Sequence, residues 1–516
     1  MAIGIRLPHT SAALGAVLLA ATAAVPLAAT PARAASPICL SGTLQYDYQS
    51  AEAGPTKPTQ TKPARNADIQ LWGAEKTTDT SHQLTADYQL TNSTDGSFNL
   101  CYTPTSTTSM SSMWVRFRTE SGQYWKVADT TGTPYTLDSA TQTNIAGSTS
   151  LGTVKPPAAT ARAWHAFDTV NLLYQHRGNG SSACWSSREA NNACTELTVR
   201  WTANSADGPY YDLANTVHLS AADPDSEHTV LHESGHFFMH RLYNGSFPAV
   251  TNCSPHYIQL VSSGTCAWTE GFADSTAAYL LGDYRYVWSD GSSYPFTYTT
   301  GWNTGDQVQG NVDGSLLDLW NNVDGGWNGT IALLTSKAPS TFADYFKTDR
   351  AAGNLATTGS ALSYLAAHTI DYGPGIVGDN QYHGLTNGGG LALEHAGQCA
   401  NATNVVADLN AYDPTHASEK WKFDPNADGT ARIYDSCPTP LTLTAPATAG
   451  AQATLQAFNS ANQYQKWQVT QNGSGTLTIT NPATGYVLDS SAVSAGAAVV
   501  VNPTRNANSQ NWATLS

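Results

Sequence analysis

The sequence has little charge and, after its first 30 residues, no long apolar stretch. Charged residues make up 12% of the 516, and 39 acidic residues outnumber 24 basic ones, which gives a formal net charge of −15. A surface this acidic repels phosphate backbones and anionic lipid headgroups, so we expect neither nucleic-acid binding nor peripheral membrane binding. Because no stretch after residue 34 reaches 18 apolar residues, no membrane anchor is expected in the mature protein.

Several common catalytic motifs are also missing. The sequence contains no G-x-S-x-G nucleophile elbow, no Walker loop and no dinucleotide-binding fingerprint. A nucleophilic-serine mechanism is therefore disfavoured. The remaining composition is globular, because 41% of the residues are hydrophobic and the length suits about three domains, each with its own core.

The first 34 residues have the pattern of a secretory signal peptide. Arg6 precedes an apolar run from Ser11 to Ala29, and small residues follow up to Ala34, after which we expect cleavage. The alternative is a membrane anchor, but the run consists mostly of alanine and Pro26 interrupts it. The pattern predicts a secreted, extracellular protein.

The eight cysteines agree with export, because their number is even. Eight cysteines allow 105 pairings, and the sequence alone does not choose among them. We expect nearest neighbours to pair, since each pair then stays inside one predicted domain. The expected pairs are Cys39/Cys101, Cys184/Cys194, Cys253/Cys266 and Cys399/Cys437.

Residues 36–154 alternate short β-rich runs with turn residues. Period-two patterning at Ser41–Tyr46, Ala67–Trp72 and Met113–Phe117 predicts strands, and the segment as a whole a small β-sandwich. It resembles the transthyretin-like modules that precede secreted peptidase domains. No catalytic constellation lies in it.

Residues 155–375 form the segment in which helical patterning appears. Residues 155–160, KPPAAT, have the composition of a linker. Asp225-Ser226 can cap a helix that continues to Tyr243, a second helix is expected from about Thr269 to Leu281, and a third around Ser315–Trp320.

Residues 388–516 carry an internal repeat. Trp421, Trp467 and Trp512 end a short recurring motif at spacings of 46 and 45 residues. Three such copies can bury a common core around a pseudo-threefold axis although one copy cannot. The motif resembles the Gln-x-Trp repeat of ricin B-type β-trefoils, in which these tryptophans are core residues. The predicted fold is thus a multidomain α+β protein with an N-terminal β-sandwich, a mixed α/β catalytic domain and a C-terminal β-trefoil.

The run His232-Glu233-Ser234-Gly235-His236 matches the H-E-x-x-H motif. On a helix, residues i and i+4 share one face, so both imidazoles can bind one Zn²⁺. Glu233 would then lie beside the open coordination position and remove a proton from a metal-activated water. His228 and His240 continue the four-residue spacing, but neither is followed by a carboxylate and we expect them to cap or pack.

A catalytic zinc needs a third protein ligand. The metzincin pattern fails, because position 242 is Leu. Glu270 begins the second predicted helix and Asp274 follows one turn later, an arrangement that resembles the gluzincin zinc metallopeptidases. The resemblance implies a zincin-like fold, with His232, His236 and Glu270 as ligands, Glu233 as general base and Asp274 bonded to a ligating His. Aspzincin-type coordination through Asp274 is the main alternative.

The sequence leaves the group that stabilises the oxyanion open. A Tyr or His between Gly282 and Gly310 is expected, with Tyr284 and Tyr298 as examples. Asp318 on the third helix is either a buttress of the site or an exposed acid.

The β-trefoil resemblance also implies sugar-binding positions, an acid near the first strand of each repeat and an aromatic platform later. An alignment of the three repeats puts the acid positions at Asn401, Thr442 and Asp489 and the platforms at Tyr412, Phe458 and Asn502. By this alignment no repeat keeps both. Asn401, Tyr412, Phe458 and Asp489 are the candidate carbohydrate contacts.

These features predict a secreted, monomeric zinc endopeptidase that acts on proteins or glycoproteins, with Zn²⁺ as cofactor and glycans as possible partners of the trefoil. The alternative is a secreted glycan-binding protein with an inactive peptidase-like domain. The complete H-E-x-x-H motif argues against that alternative, since an inactive site has no chemical reason to keep its general base.

Overall fold

The computed structural model describes residues 36–86, 88–178, 182–189, 193–297, 300–399, 405–426, 428–472, 475–505 and 507–515. The predicted signal peptide, Asn401 and Tyr298 lie outside them. The chain is a multidomain α+β protein with a β-rich first region, a helical middle region and a β-rich last region. Within the described residues, no helix is both long and apolar enough to cross a membrane.

The first region is built around the long strand β1 (Ile38–Gln49). The other strands are β2 (Thr59–Pro63), β3 (Asp68–Ala74), β4 (His82–Gln83), β5 (Gln89–Leu90), β6 (Ser97–Tyr102), β7 (Met110–Arg118), β8 (Glu120–Ser121), β9 (Trp125–Ala128), β10 (Thr136–Asp138), β11 (Gln142–Ile145) and β12 (Thr149–Val154). β1 pairs antiparallel with β2 and β6 and parallel with β12, and β3 pairs antiparallel with β7. The three runs predicted as strands lie in β1, β3 and β7.

The middle region carries the helices. Its elements are α1 (Ala158–His176), β13 (Leu197–Trp201), β14 (Tyr210–Tyr211), β15 (Thr216–Leu219), α2 (Glu227–Leu242), α3 (Gly264–Leu281), β16 (Arg285–Val287), β17 (Ser293–Pro295), α4 (Gln309–Asn322), α5 (Asn328–Lys337), α6 (Arg350–Ala352) and α7 (Ser360–Ala367). The predicted linker is wrong from Ala158 onward, because α1 begins there. Pro157 suits the position before a helix, and alanine is the strongest helix former.

The first and middle regions share one hydrophobic core. A single cluster of buried side chains extends from Ile38 to Ile370. One five-stranded sheet, in the order β14-β15-β13-β9-β8, takes strands from both regions, with β9 parallel to β13. The first region is therefore packed as an integral part of the body that carries α2.

The first region also makes polar contacts with the start of α2. Glu52 Oε1 accepts hydrogen bonds from the backbone N–H of Glu227 at 2.6 Å and of His228 at 3.2 Å. Lys57 Nζ lies 2.9 Å from Asp225 Oδ2, and Lys62 Nζ lies 2.5 Å from Glu227 Oε1. A carboxylate at a helix N-terminus satisfies free N–H groups and complements the helix dipole, so these contacts hold α2 in place.

The last region consists of short strands. They are β18 (His383–Asn387), β19 (Ala392–His395), β20 (Val405–Asn410), β21 (Lys420–Pro425), β22 (Ala431–Asp435), β23 (Thr442–Thr444), β24 (Thr454–Gln456), β25 (Gln468–Gln471), β26 (Leu477–Asn481), β27 (Tyr486–Ser490), β28 (Val499–Asn502) and β29 (Trp512–Leu515). The indoles of Trp421, Trp467 and Trp512 are fully buried and donate to the carbonyls of residues 393, 443 and 488 at 2.8, 2.9 and 3.1 Å. The three repeats thus share one local structure, with tryptophan in the core.

Four disulfides join cysteines that are nearest neighbours in the sequence. They are Cys39–Cys101, Cys184–Cys194, Cys253–Cys266 and Cys399–Cys437. Each lies within one of the three sequence segments, so none of the four crosses between segments.

Candidate active site

Helix α2 places the two histidines of the H-E-x-x-H motif on one face. The predicted cap is confirmed, because Ser226 Oγ accepts a hydrogen bond from the Thr229 N–H at 3.0 Å. The helix packs closely on α3, and a Cβ added at Gly235 would lie 3.1 Å from the Ala273 Cα. Glycine at this position lets the two helices approach closely enough to share one site.

Helix α3 begins five residues earlier than predicted, at Gly264 instead of Thr269. Ser263 Oγ accepts from the Cys266 N–H at 3.1 Å and caps the helix. The serine is a typical capping residue, and the disulfide Cys253–Cys266 fixes the preceding loop to the first turn. This extra turn places Glu270 inside the helix, where it faces α2.

His232, His236 and Glu270 meet at a single point. The Nε2 atoms of the two histidines are 3.2 Å apart, and Glu270 Oε2 lies 3.2 Å from His232 Nε2 and 3.3 Å from His236 Nε2. Among the described residues this trio is one of two groups that offer three possible ligand atoms within 4.8 Å of one another. The structure thus brings together residues that are 34 positions apart in the sequence.

Asp274 orients His232, and Gln309 in turn holds Asp274. His232 Nδ1 donates to Asp274 Oδ1 at 2.7 Å, while Gln309 Nε2 donates to Asp274 Oδ2 at 2.5 Å. With Nδ1 bonded to Asp274, His232 turns Nε2 towards the cluster, the orientation that a metal ligand requires. Asp274 is fully buried and contacts His232 from behind, so it is not arranged as a direct ligand.

Charges and burial shift the pKa values of the clustered groups. Burial raises the pKa of Glu233 above its usual value. Burial also acts to raise the pKa of Glu270, but the adjacent His236 and His232 hold it well below its usual range. For His232, burial is outweighed by the Asp274 carboxylate, which raises the pKa.

Two cavities flank the cluster, of about 480 and 300 Å³. Both are lined by Pro209, His232, Glu233 and His256, so Glu233 borders the space on either side. The larger cavity is also lined by aromatic side chains, including Tyr286, whose pKa burial raises to about 12.

Sequence reasoning missed His256 and Tyr286. Tyr286 lies within the stretch in which we expected an oxyanion donor, and its ring centroid is 5.7 Å from that of His232. The named candidate Tyr284 does not line either cavity, and its hydroxyl accepts from the Asn321 side chain. His256 lies in the loop closed by Cys253–Cys266, a position that a search confined to residues 282–310 could not reach.

The other polar candidates are occupied elsewhere. His228 contacts Glu52 and the Asp283 carbonyl, and His240 Nδ1 bonds the Tyr211 hydroxyl at 2.8 Å. Neither histidine belongs to the ligand group. Asp318 pairs with His368 Nε2 at 2.8 Å, so it does not support the site. These residues have structural partners, as expected for His228 and His240.

The strand register corrects the alignment of the last region. In the β27–β28 ladder, Asn502 pairs with Val487, which is two residues before Asp489. The β19–β20 ladder places Asn410 in the same relation to Glu394. The counterpart of Asp489 in the first repeat is therefore Glu394 and not Asn401. Asn410 Nδ2 donates to Glu394 at 3.0 Å, and Asn502 Nδ2 donates to Asp489 at 2.9 Å.

The second repeat follows the same register. Its corresponding positions are Thr444 and Gln456, because the β23–β24 ladder pairs Gln456 with the residue two before Thr444. The predicted acid position Thr442 is therefore two residues before the equivalent residue, Thr444. The predicted platforms Tyr412 and Phe458 are two residues after Asn410 and Gln456, the residues equivalent to Asn502. Carbohydrate contact by these residues stays a prediction.

Comparisons with known proteins agree with this architecture. Residues 39–163 match a family model described as the mycolysin middle domain, residues 178–369 match the mycolysin C-terminal domain, and residues 383–512 match the ricin-type beta-trefoil lectin domain. The matches confirm the resemblance to a peptidase with a C-terminal ricin-type domain. A search of curated proteins found no match.

Solved structures match parts of the chain at low identity. The designed threefold-symmetric protein ThreeFoil is 18% identical, with 26% of this chain and 98% of that chain covered and a TM-score of 0.24. The earthworm R-type lectin C-half in complex with GalNAc is 20% identical, with 26% and 98% covered and a TM-score of 0.22. An exo-beta-1,3-galactanase from Clostridium thermocellum is 20% identical, with 28% and 33% covered and a TM-score of 0.25.

Proposed function

The chain belongs to the mycolysin family of peptidases and carries a ricin-type lectin domain at its C-terminal end, and we propose that it is a secreted zinc-dependent endopeptidase. In this proposal residues 1–34 are its signal peptide and 388–516 a β-trefoil. Residues 36–154 are a transthyretin-like β-sandwich whose β8 and β9 complete the sheet of the zincin-like catalytic domain of residues 155–375. The protein acts as a monomer on protein or glycoprotein substrates. The observation that carries the proposal is the meeting of His232, His236 and Glu270 beside Glu233.

The spacing of the three ligand atoms supports zinc. Tetrahedral ligands at about 2.0–2.1 Å from Zn²⁺ lie about 3.3 Å from one another, and the distances here are 3.2, 3.2 and 3.3 Å. Two imidazole nitrogens and a carboxylate oxygen form a donor set that zinc hydrolases use, with one position left open. His232, His236 and Glu270 would therefore hold the ion.

When bound, zinc would polarise a substrate carbonyl and lower the pKa of a water toward about 7. Glu233, with its raised pKa, takes a proton from the attacking water and later delivers it to the nitrogen of the leaving amine. Asp274 keeps the His232 ring in the orientation that the ligand role requires. Tyr286, which lines the larger cavity, is the revised candidate for a hydrogen bond to the oxyanion.

The test is a comparison of the mature wild-type protein with Glu233→Gln, by zinc content and casein cleavage. We expect one zinc per chain in both and cleavage only by the wild type, because the substitution removes the base and keeps the ligands. Glu196→Gln is a matched control, since Glu196 pairs with Lys126 outside the site. A zinc-free wild type, or equal cleavage by Glu233→Gln, would contradict the proposal.

The last region supports a second function, the targeting of the peptidase to glycans. Two repeats keep an acid bonded to an asparagine, Glu394 with Asn410 and Asp489 with Asn502. Asp489 also accepts hydrogen bonds from Arg505 and Gln510. The Glu394 carboxylate of the first repeat therefore has fewer side-chain partners that a sugar hydroxyl would have to displace. A full-length Glu233→Gln protein should bind glycoprotein-coated resin, and Glu394→Gln should weaken that binding.

The alternative function, a lectin-like protein with an inactive peptidase-like domain, makes a different prediction for the same proteins. Wild type and Glu233→Gln would then bind glycans equally, and neither would cleave casein or glycoprotein. Cleavage that depends on Glu233 excludes this alternative whatever the outcome of the glycan experiment.

A further inference from the structure

A chain of hydrogen bonds leads from the metal-site ligand His232 to His256. His232 Nδ1 bonds Asp274 Oδ1 at 2.7 Å, Gln309 Nε2 bonds Asp274 Oδ2 at 2.5 Å, and His256 Nδ1 bonds Gln309 Oε1 at 2.8 Å. The four residues come from α2, α3, the first residue of α4 and the disulfide loop. The Gln309 amide therefore links the carboxylate that orients a ligand to a residue on the wall of the cleft.

The direction of every bond in this chain is fixed. An ionised carboxylate only accepts hydrogen bonds, so the amide nitrogen of Gln309 must face Asp274 and its oxygen must face His256. His256 therefore carries a proton on Nδ1 and donates it to Gln309. Gln309 is 3% exposed, so its bond to the fully buried Asp274 is shielded from bulk solvent.

The remaining ring nitrogen of His256 is placed at the reaction centre. Nε2 lies 3.7 Å from Glu270 Oε2, and the His256 side chain is 37% exposed. The residue lines both cavities together with Glu233. With Nδ1 bonded to Gln309, Nε2 lies beside Glu270 at the wall that both cavities share with Glu233.

We propose that His256 is a catalytic residue whose Nε2 accepts a hydrogen bond from the N–H of the scissile peptide group, and that Gln309 is the positioning residue that holds it there. This inference rests on the proposed peptidase function. Because the contact is made to the group that reacts, its loss lowers kcat and changes KM little.

A double-mutant cycle tests whether the two residues act as one unit. Gln309→Met keeps the side-chain length and removes both hydrogen bonds, and His256→Ala removes the contact itself. We expect each to lower kcat about 10²-fold, the size expected for a misplaced or missing contact at the reacting group. Assayed at saturating zinc, so that weaker metal binding does not contribute, the double variant should be no slower than either single variant. A loss of about 10⁴-fold in the double would show independent roles and overturn the proposal.

Zinc affinity gives a second readout that does not depend on turnover. Gln309 supports Asp274 and hence His232, so Gln309→Met should weaken zinc binding several-fold in chelator competition. His256→Ala should leave zinc affinity within twofold of the wild type. Equal weakening in both would make His256 a metal-site residue and contradict the division of roles. If the wild type cleaves no substrate, the peptidase function fails, and this comparison still tests the hydrogen-bonded chain.

Two further variants control for folding. Gln307→Met makes the same substitution at an exposed position two residues earlier and should leave kcat and zinc affinity unchanged. If Gln309→Met does not fold, His256→Asn becomes decisive, because its amide can still donate to Gln309 but has no Nε2. Full kcat in His256→Asn would overturn the contact through Nε2, and a loss equal to that of His256→Ala supports it.

Discussion

Two clusters of possible metal ligands lie in different regions of the molecule and differ in what their atoms can do. His232, His236 and Glu270 direct their ligand atoms at one another, beside two cavities. The second cluster consists of His395, Asp435 and Cys437, all buried. The Cys437 sulfur is already bonded to Cys399, and Asp435 accepts from the His395 Nδ1 and from backbone N–H groups.

The difference shows that proximity of ligand-type residues does not define a metal site. In both clusters a histidine Nδ1 bonds an aspartate at 2.7 Å, His232 with Asp274 and His395 with Asp435. In the first cluster Asp274 stands behind the histidine, and Nε2 is left to meet two further donors. In the second cluster the aspartate is itself one of the three candidate ligands. Its oxygens already accept hydrogen bonds from His395 and from backbone N–H groups, so this cluster has a structural role.

Loss of a ligand should separate the clusters most strongly. His236→Ala should abolish stoichiometric zinc binding and lower casein cleavage by more than about 10³-fold, because two remaining ligands do not hold a catalytic zinc. His395→Ala, the matched substitution, should keep zinc and cleavage and lower only the thermal stability of the last region. Zinc analysis and cleavage rates check both, and zinc loss in His395→Ala would break the comparison.

The disulfide of the second cluster should contribute a large part of the stability of its region. Cys399 and Cys437 are 38 residues apart, and a closed loop of this size stabilises by roughly 4 kcal/mol through the unfolded state. The double variant Cys399→Ala/Cys437→Ala should therefore unfold at clearly lower denaturant concentration when followed by the fluorescence of the last region. Casein cleavage should persist, and its loss would show that the regions depend on each other.

The two aspartates give a matched pair of intermediate size. Asp274→Asn should weaken zinc binding about 10–100-fold, since it alters the partner of a ligating histidine. Asp435→Asn should leave zinc affinity unchanged and lower the free energy of unfolding by about 1–3 kcal/mol, because it disturbs a buried hydrogen-bond network. Chelator competition and denaturant unfolding measure the two quantities, and an exchange of the two outcomes would refute the distinction.

We expect the smallest effects on stability from changes of pH, which should act in opposite directions on two regions. Acid should destabilise the region around α2, and a rise in pH should destabilise the last region. Interactions with His165 and Lys62 overcome burial and hold the pKa of Glu227 at about 2, below its usual value. Its stabilisation is therefore present above about pH 4.5 and lost as the pH falls toward 2. Burial and the neighbouring Glu394 raise the pKa of Asp408 to about 6, so its ionisation destabilises the last region as the pH rises from about 4 to 6.

Substitutions of these two carboxyls make the pH effect measurable. Glu227→Gln should lower the Tm at pH 7 and approach the wild type below pH 3. Asp408→Asn should raise the Tm of the last region slightly at pH 8 and not at pH 4. Thermal scans over this range check the signs, and an Asp408→Asn protein less stable than wild type at pH 8 would contradict the prediction.

The local patterns in the sequence were informative about the site. The i, i+4 spacing of His232 and His236 and the cap at Ser226 concern neighbouring residues on one helix, which backbone geometry alone controls. Glu270 was reached only through the family resemblance. His256, Gln309 and Tyr286 carry no local pattern, because each reaches the site through the packing of a different element. The repeat alignment failed for a related reason, since the pairing of strands defines the equivalent positions.

The sequence by itself determined the elements whose causes are short-range, namely the capped helix with its H-E-x-x-H motif, the alternating strands and the three tryptophan repeats. Only the tertiary structure decided which distant groups meet them. It joined residues 38–370 into one core, set Glu52 against the start of α2 and connected His256 through Gln309 to Asp274. The physical reason is that hydrogen bonds and ligand geometry act over about 3 Å, a distance that sequence separation does not encode.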